Sequence, residues 1–387
     1  MFERVLNRRG LMTIGALALL GGCTVIPKST GPATGPTPAP EPTPDTLPTD
    51  TTRHRIALLV PMTGSNAAVG QSIANAATMA LLDTNAENLR VTTYDTSSSA
   101  ADAARRAVAD GNKLILGPLL SGNIPAVSAA ARPAKVPLIS FSNDEGAAAQ
   151  DVFIMGNLPG ESVDRTVRYA RSRGVSTFAA LSPRGEYGQR AQDALMAAAR
   201  ASGGSVVAME SYDRSNTSIA SAARRLKDKG GFDAVLIADG GRMASRAAPV
   251  LKPAVSADKP IILGTELWSG EKAVTDTAAL NGAWFSAVSD NRYVRFSTSY
   301  KQRFGGTPYR IATLGYDAVL LSLRVARDWQ PGRDFPSRKL LDSGGFLGLD
   351  GPFRFSKAGI IERSLEVREV RSGGVAVVSP APSRFDD

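Results

Sequence analysis

Two doubly wound α/β lobes, each a parallel sheet wrapped by helices and facing the other across a cleft, are predicted by three features of the sequence. Short apolar runs such as Ile56 to Val60, Leu114 to Leu116 and Pro137 to Phe141 alternate with helical stretches, the pattern of strands buried on both faces of a parallel sheet. Those runs end in small polar residues, and the carboxyl ends of strands in an open α/β sheet are where ligands sit. The period of strand, loop and helix restarts after Asp144, and a chain of 387 residues exceeds what one core usually holds.

Taken in order, the chain opens with a segment that is not part of either lobe. Arg4, Arg8 and Arg9 precede an apolar run from Leu11 to Leu20, a basic region and a short apolar core that make a secretory signal over 1–22, too short to span a bilayer. Leu20-Gly-Gly-Cys23 resembles a bacterial lipobox, which implies lipidation of Cys23; Thr24 after it implies outer-membrane sorting, facing the periplasm. A lipid chain anchors without spanning. Cys23 is also the only cysteine, so no disulfide staples this exported chain. Residues 23–52 are Pro, Thr, Gly and Ala with almost no large apolar side chain, a disordered, extended tether. The formal charge is +9, leaving about +7 once the signal peptide is gone. Such an excess suits anionic wall polymer or headgroups. Sparse aromatics, interleaved acids and export argue against nucleic acid.

The first lobe begins with the strand from Ile56, a loop from Pro61 to Gly70 and a helix from about Gln71, whose first turn at Gly70-Gln71-Ser72 would offer free amides to an anion. An alternating strand from Arg90 to Thr96, a helix capped by Ser99, and the βαβ stretch from Lys113 to Asp144 follow. The second lobe restarts with strands at Thr177, Ser205, Phe232 and Pro260 separated by helices. Helices over Tyr293 to Phe304 and Ile311 to Asp328 return to the first lobe, and the strands after Phe346 close the second. The resulting boundaries are 53–157 with 287–328, then 158–286 with 329–378, and a flexible tail over 379–387.

Catalytic chemistry finds few residues. His54, the one histidine, stands at a strand entry and reads as a surface residue; there is no Cys/His cluster for zinc and no Ser-His-Asp set. Ser256 to Lys259 and Ser269 to Lys272 match the S-x-x-K spacing of penicillin-recognising serine enzymes, but no K-T-G accompanies them. Phosphate-binding glycine motifs are absent, and a Glu186 with Glu266 carboxylate pair would need the fold to bring it together. No catalytic residue, metal or cofactor is expected. A binding site needs only hydroxyls, amides and charges at strand ends. Ser65, Ser121, Asn123, Ser142, Asn143 and Asp144 supply these in the first lobe, and Tyr187, Asp239 and Glu266 in the second.

The phrases Ile56 to Gly70 (IALLVPMTGSNAAVG), Ile115 to Ser121 (ILGPLLS), Val136 to Asp144 (VPLISFSND), Tyr187-Gly188, Asp233-Ala-Val and Gly315-Tyr-Asp-Ala together resemble the type I periplasmic binding proteins of the leucine/isoleucine/valine-binding kind. The resemblance implies two lobes closing over a cleft, with Ser121 at a ligand-gripping position. Asp144 stands where transport members carry Thr, and an unpaired carboxylate there would repel an amino acid's carboxylate. ILGPLLSGN and FSND are similar to the penicillin-binding protein activator lipoproteins. That branch implies contact with a class A penicillin-binding protein, a peptidoglycan synthase, and is the favoured expectation; the alternative is the substrate-binding component of an ABC importer for branched-chain or other amino acids, with a small polar ligand.

Overall fold

A computed structural model describes residues 52–213, 218–253, 260–383 and 385. The expected signal peptide, Cys23, the tether up to residue 51 and the Ser256 to Lys259 match lie outside the described residues.

In the first lobe, β1 (His54–Val60), α1 (Ala67–Asp83), β2 (Leu89–Asp95), α2 (Ala100–Ala109), β3 (Leu114–Leu116), α3 (Ile124–Ala131), β4 (Leu138–Ser140) and β5 (Val152–Ile154) form a five-stranded sheet in the order β2-β1-β3-β4-β5, parallel throughout. β3 (Leu-Ile-Leu) and β4 (Leu-Ile-Ser) are fully buried three-residue strands, and α2 begins where Ser99 accepts the Asp102 N–H at 3.2 Å. The order reverses between β1 and β3, and this switch point opens a crevice beyond the strand ends.

The second lobe runs through α4 (Pro159–Ser172), β6 (Thr177–Pro183), α5 (Glu186–Ala201), β7 (Ser205–Tyr212), α6 (Ile219–Lys229), β8 (Ala234–Ile237), α7 (Gly241–Leu251), β9 (Ile261–Leu263), α8 (Lys272–Thr275) and β10 (Trp284–Ala287). Its parallel strands repeat the first lobe's order as β7-β6-β8-β9-β10. The chain then crosses back to lay α9 (Asn291–Phe304) and α10 (Thr313–Ala326) on the first lobe. A small antiparallel sheet of β11 (Phe346–Gly348), β12 (Gly351–Phe355) and β13 (Ile361–Arg363) follows, before a last crossing to β14 (Glu366–Arg371), antiparallel to β10, and β15 (Gly374–Ser379), antiparallel to β14, which extend the second sheet.

Four expectations are corrected here. The segment from 329 onward does not all close the second lobe: Trp329, Phe335, Leu340, Phe353, Phe355 and Ile361 join the first lobe's core, where Phe355 packs edge-on to Phe153 at 5.5 Å, and only β14 and β15 belong to the second. His54 is buried, stacked on Trp329 at 4.1 Å, and burial lowers its pKa. Ser379 and Phe385, expected in a flexible tail, are engaged: Arg165 donates to Ser379 Oγ at 2.6 Å and Arg354 lies over the Phe385 ring at 4.9 Å. Finally, α1 starts at Ala67 rather than Gln71, so the Gly70 amide is already bonded to the Asn66 carbonyl at 3.0 Å and offers nothing to an anion.

Gly70 is there for another reason. A Cβ on it would lie 1.7 Å from the Pro61 carbonyl oxygen at the end of β1. The second lobe solves the same problem in the same way, because a Cβ on Gly188 would lie 1.8 Å from the Pro183 carbonyl oxygen. In each lobe a glycine in the helix that follows the first strand lets that helix lie against the turn leaving the strand.

Candidate binding cleft

Between the lobes lies a cavity of about 450 Å³ built from loops that leave the carboxyl ends of strands. The first lobe gives it an apolar wall, Val69 from α1, Leu119 and Leu120 after β3, and Phe141 after β4, with Asn143 and Asn157 at its edge. Glu266, Leu267, Ser269 and Glu271, all in the loop after β9, face it from the second lobe. Arg310 and Ile311, which lead into α10, complete it. A smaller cavity of about 30 Å³ adjoins the first and shares Asn157, Glu266, Ser269 and Arg310 with it, adding Glu161 and Arg363.

Arg310 is held in place from one side. Its Nη1 donates to Asp350 Oδ1 at 2.7 Å and to Thr313 Oγ1 at 3.2 Å, and its guanidinium lies over the Tyr293 ring at 4.3 Å. Burial opposes its charge most strongly, but the charges of Asp350 and Asp290, with Tyr293, together raise its pKa. Asp350 is fully buried between Arg310 and the Thr313 hydroxyl, with its own pKa lowered by those partners against the effect of burial. Neighbouring Asp317 is pushed up to about 7 by burial and by the Asp350 charge.

Glu266 is oriented by Tyr187, whose hydroxyl donates to Glu266 Oε1 at 3.0 Å and lies 2.9 Å from Thr265 Oγ1. Burial raises the Glu266 carboxyl to about 7, against the Tyr187 hydrogen bond, and holds the Tyr187 phenol well above 10. Glu161 sits at the opening of α4, accepts the Arg363 backbone N–H at 2.5 Å, and is pushed up to about 8 by burial.

Of the sequence candidates, the structure brings Tyr187 and Glu266 together and puts Glu266 and Asn143 on the cavity. Asp144 lies outside that lining and is paired: its Oδ1 meets Arg190 Nη2 at 2.8 Å across the interlobe gap and accepts the Gly146 N–H. The repulsion expected of an unpaired carboxylate therefore does not arise, which corrects the objection to amino-acid ligands. Ser142 is buried, its Oγ accepting the Asp144 N–H at 3.0 Å, the role of a turn cap. Ser65 is exposed on the loop before α1, and Ser121 and Asn123 form a single 3₁₀ turn outside the lining. Asp239 is buried in the second lobe with Tyr212 donating to it at 2.5 Å. Glu186 pairs with Arg190, not with Glu266. Among the described residues no His, Cys, Asp and Glu are grouped to hold a metal, and no helix is long and apolar enough to cross a membrane.

Sequence reasoning missed Arg310, Arg363, Asn157 and Arg190. Arg310 interrupts an otherwise uncharged run, Pro308-Tyr-Arg-Ile-Ala, that enters a helix of mostly buried residues, which is a readable signal. Arg190 stands four residues after Glu186, the spacing of any solvated helix pair, and so carries no distinctive sequence signal.

Residues 54–375 match the sequence profile of the family described as periplasmic binding protein. The chain belongs to the periplasmic binding protein family. Among solved structures, this family member resembles a branched chain amino acid ABC transporter periplasmic ligand-binding protein from Burkholderia xenovorans LB400, with TM-score 0.68, 16% identity, and coverage of 86% of this chain and 95% of that one. It also resembles LivJ from Streptococcus pneumoniae in complex with isoleucine, with TM-score 0.63, 21% identity, and 85% and 100% coverage. A third is a solute binding protein of an ABC transporter from Rhodopseudomonas palustris BisB5 in complex with 3,4-dihydroxybenzoic acid, with TM-score 0.65, 19% identity, and 87% and 98% coverage. At these identities the likeness is one of fold. A curated relative, an uncharacterized protein of Rickettsia prowazekii, is 32% identical over 136 residues, 35% of this chain and 36% of that protein, so the match spans about a third of the relative's length.

Proposed function

We propose that the protein is a periplasmic solute receptor that delivers a small organic ligand, an amino acid being the first class to try, to an ABC importer. The observation that carries this reading is the cavity of about 450 Å³ lined from both lobes at the strand ends, within the range of small-molecule sites and apolar on one wall with polar groups opposite. Such a ligand would touch both lobes and so favour their closed arrangement over an open one. The solved structures it resembles include a solute binding protein and a periplasmic ligand-binding protein of ABC transporters, which favours the receptor over the activator of a class A penicillin-binding protein. A lipid anchor at Cys23 and sorting to the outer membrane belong to the same proposal and rest on the sequence around that residue.

A thermal-shift and calorimetric screen of amino acids and small organic solutes tests the receptor reading. A ligand at a hundred times its Kd adds about 2.7 kcal/mol of stability, enough to move Tm by several degrees. A class A synthase, assayed beside it, is expected neither to bind nor to polymerise glycan faster. Synthase capture with stimulated activity, and no response to any solute, would restore the activator in its place.

A further inference from the structure

A groove of about 720 Å³ lies at the amino ends of the first lobe's strands, the end opposite the cleft. Pro137 and Asp151, which line it, directly precede β4 and β5. The register fixes their level: Leu138 pairs with Ile115 and Val152, and Ile115 with Ala57, so Pro137 stands beside the start of β1. Ring contacts tie the groove to the point where the chain enters the fold. Phe335 on its wall packs edge-on to Trp329 at 5.2 Å, and Trp329 stacks on His54, the first residue of β1, at 4.1 Å.

Three acids at this end are matched locally. Asp151 accepts from Arg132 Nε and Nη2 at 2.8 and 3.0 Å, Asp334 meets Lys113 at 3.6 Å, and Asp328 meets Lys339 at 3.1 Å. Asp342, just past the groove in the chain, turns Oδ1 to the Gly344 N–H at 3.0 Å. Lys135 and Arg338 on the groove, and Arg333 two residues before Phe335, are exposed and form no ion pair among the described residues. Three cations are thus left over beside an apolar floor of Phe153 and Phe335, with Leu341 38% exposed at the same groove. Cations around exposed apolar surface suit phosphate groups that carry acyl chains, and a guanidinium meets phosphate through two parallel hydrogen bonds.

We propose that this groove docks the first lobe on a membrane of anionic phospholipid, with Lys135, Arg333 and Arg338 on the headgroup phosphates and Leu341 at the acyl boundary. Position argues for a bilayer over a soluble anion. The described chain begins at Thr52, two residues before β1, so a lipid on Cys23, which this inference takes from the anchor reading, is joined to the fold at this end. An anchor and a basic patch together hold more firmly than either alone. Docked in this way, the carboxyl ends of the strands and the cleft they carry point away from the bilayer.

The test uses the chain from residue 23 onward with Cys23→Ser, so that no lipid contributes, and vesicles of phosphatidylcholine alone or in equal mixture with phosphatidylglycerol. Cosedimentation is expected to show binding at least about tenfold tighter to the anionic vesicles, weakening as salt rises. Lys135→Glu with Arg338→Glu should remove at least about fivefold of that affinity. Arg242→Glu with Arg246→Glu, the same change of charge at exposed positions of α7 in the second lobe, should leave it within about twofold. Arg333→Glu gives a second reading, a loss in the same direction, should the first pair fold poorly. Equal losses in the two pairs would mean attraction to the overall charge with no defined surface and would overturn the inference. So would equal binding to both vesicles, or a dimer in sedimentation that Lys135→Glu with Arg338→Glu dissolves, which would give the face to a second copy. Exported protein without lipid on Cys23 would overturn the anchor reading alone, since the vesicle measurement does not pass through it.

Discussion

Both lobes place five parallel strands in the same order and seat a helix against the turn after the first strand through a glycine, yet they give the cleft different surfaces. In the first lobe the turn is a loop from Pro61 to Asn66 whose polar groups are consumed locally: Asp95 accepts from the Met62 N–H at 2.8 Å and the Thr63 hydroxyl at 2.9 Å. What that lobe shows the cleft is therefore mostly Val69, Leu119, Leu120 and Phe141. In the second lobe only Arg184 and Gly185 separate β6 from α5. The helix consequently starts early, carrying Tyr187 to Glu266 and Arg190 to Asp144. One strand order thus carries a mostly apolar wall in the first lobe and a polar wall in the second.

The shared glycine is the most sensitive point of the comparison. Gly70→Ala and Gly188→Ala each drive a methyl into a backbone carbonyl and should each cost about 3 kcal/mol or more in denaturant unfolding. A loss below about 1 kcal/mol in one variant alone would show that the two turns are not equivalent.

Opposite titrations come next. Asp95 is held well below the usual carboxylate range by hydrogen bonds, first from the Met62 amide and then from Ser97. Its stabilisation is present above the unfolded-state pKa and is lost as pH falls through the lower folded value. Glu161 behaves in the reverse sense: the unfolded carboxyl ionises above 4.5, but burial holds the folded one protonated to about 8. Stability therefore falls as pH rises between those values. Arg363, Glu145 and Glu362 are the charges that act on it. Asp95→Asn should flatten the acid limb of the stability profile, and Glu161→Gln the limb toward pH 8. A Glu161→Gln variant with an unchanged profile would show that the carboxyl is hydrated in the fold.

The smallest effect is expected at the bridge between the lobes. Arg190 and Asp144 are each about a quarter exposed, so Arg190→Met should cost about 0.5–1 kcal/mol. Because the pair joins the lobes, its loss should speed ligand dissociation in stopped-flow measurements more than it changes stability. An unaltered off-rate would mean the bridge does not gate the cleft.

Much of the frame could be read from the sequence because buried strands announce themselves as short apolar runs, and β1, β3, β4 and β8 do so plainly. The placement of β11 to β13 could not, since Phe355 meets Phe153 across some two hundred residues of chain and no local pattern records that meeting. The site was half legible for a similar reason. Glu266 and Tyr187 stand at strand ends, whereas the role of Arg310 depends on Asp350, which a later turn brings underneath it. His54 was misread because its partner, Trp329, is equally remote.

Three segments connect the lobes side by side: the stretch after β5, the stretch after β10, and Ser364 with Leu365 between β13 and β14. Three straps along one edge behave like the leaves of a door hinge; they allow swing about one line and resist twist or slide. Arg363 is the last residue before the third strap, and Glu161 lies just beyond the first. Arg363 and Glu161, two of the charged residues of the smaller cavity, are thus bolted to the hinge itself, where a small change of angle at the pivot becomes a wide movement at the mouth.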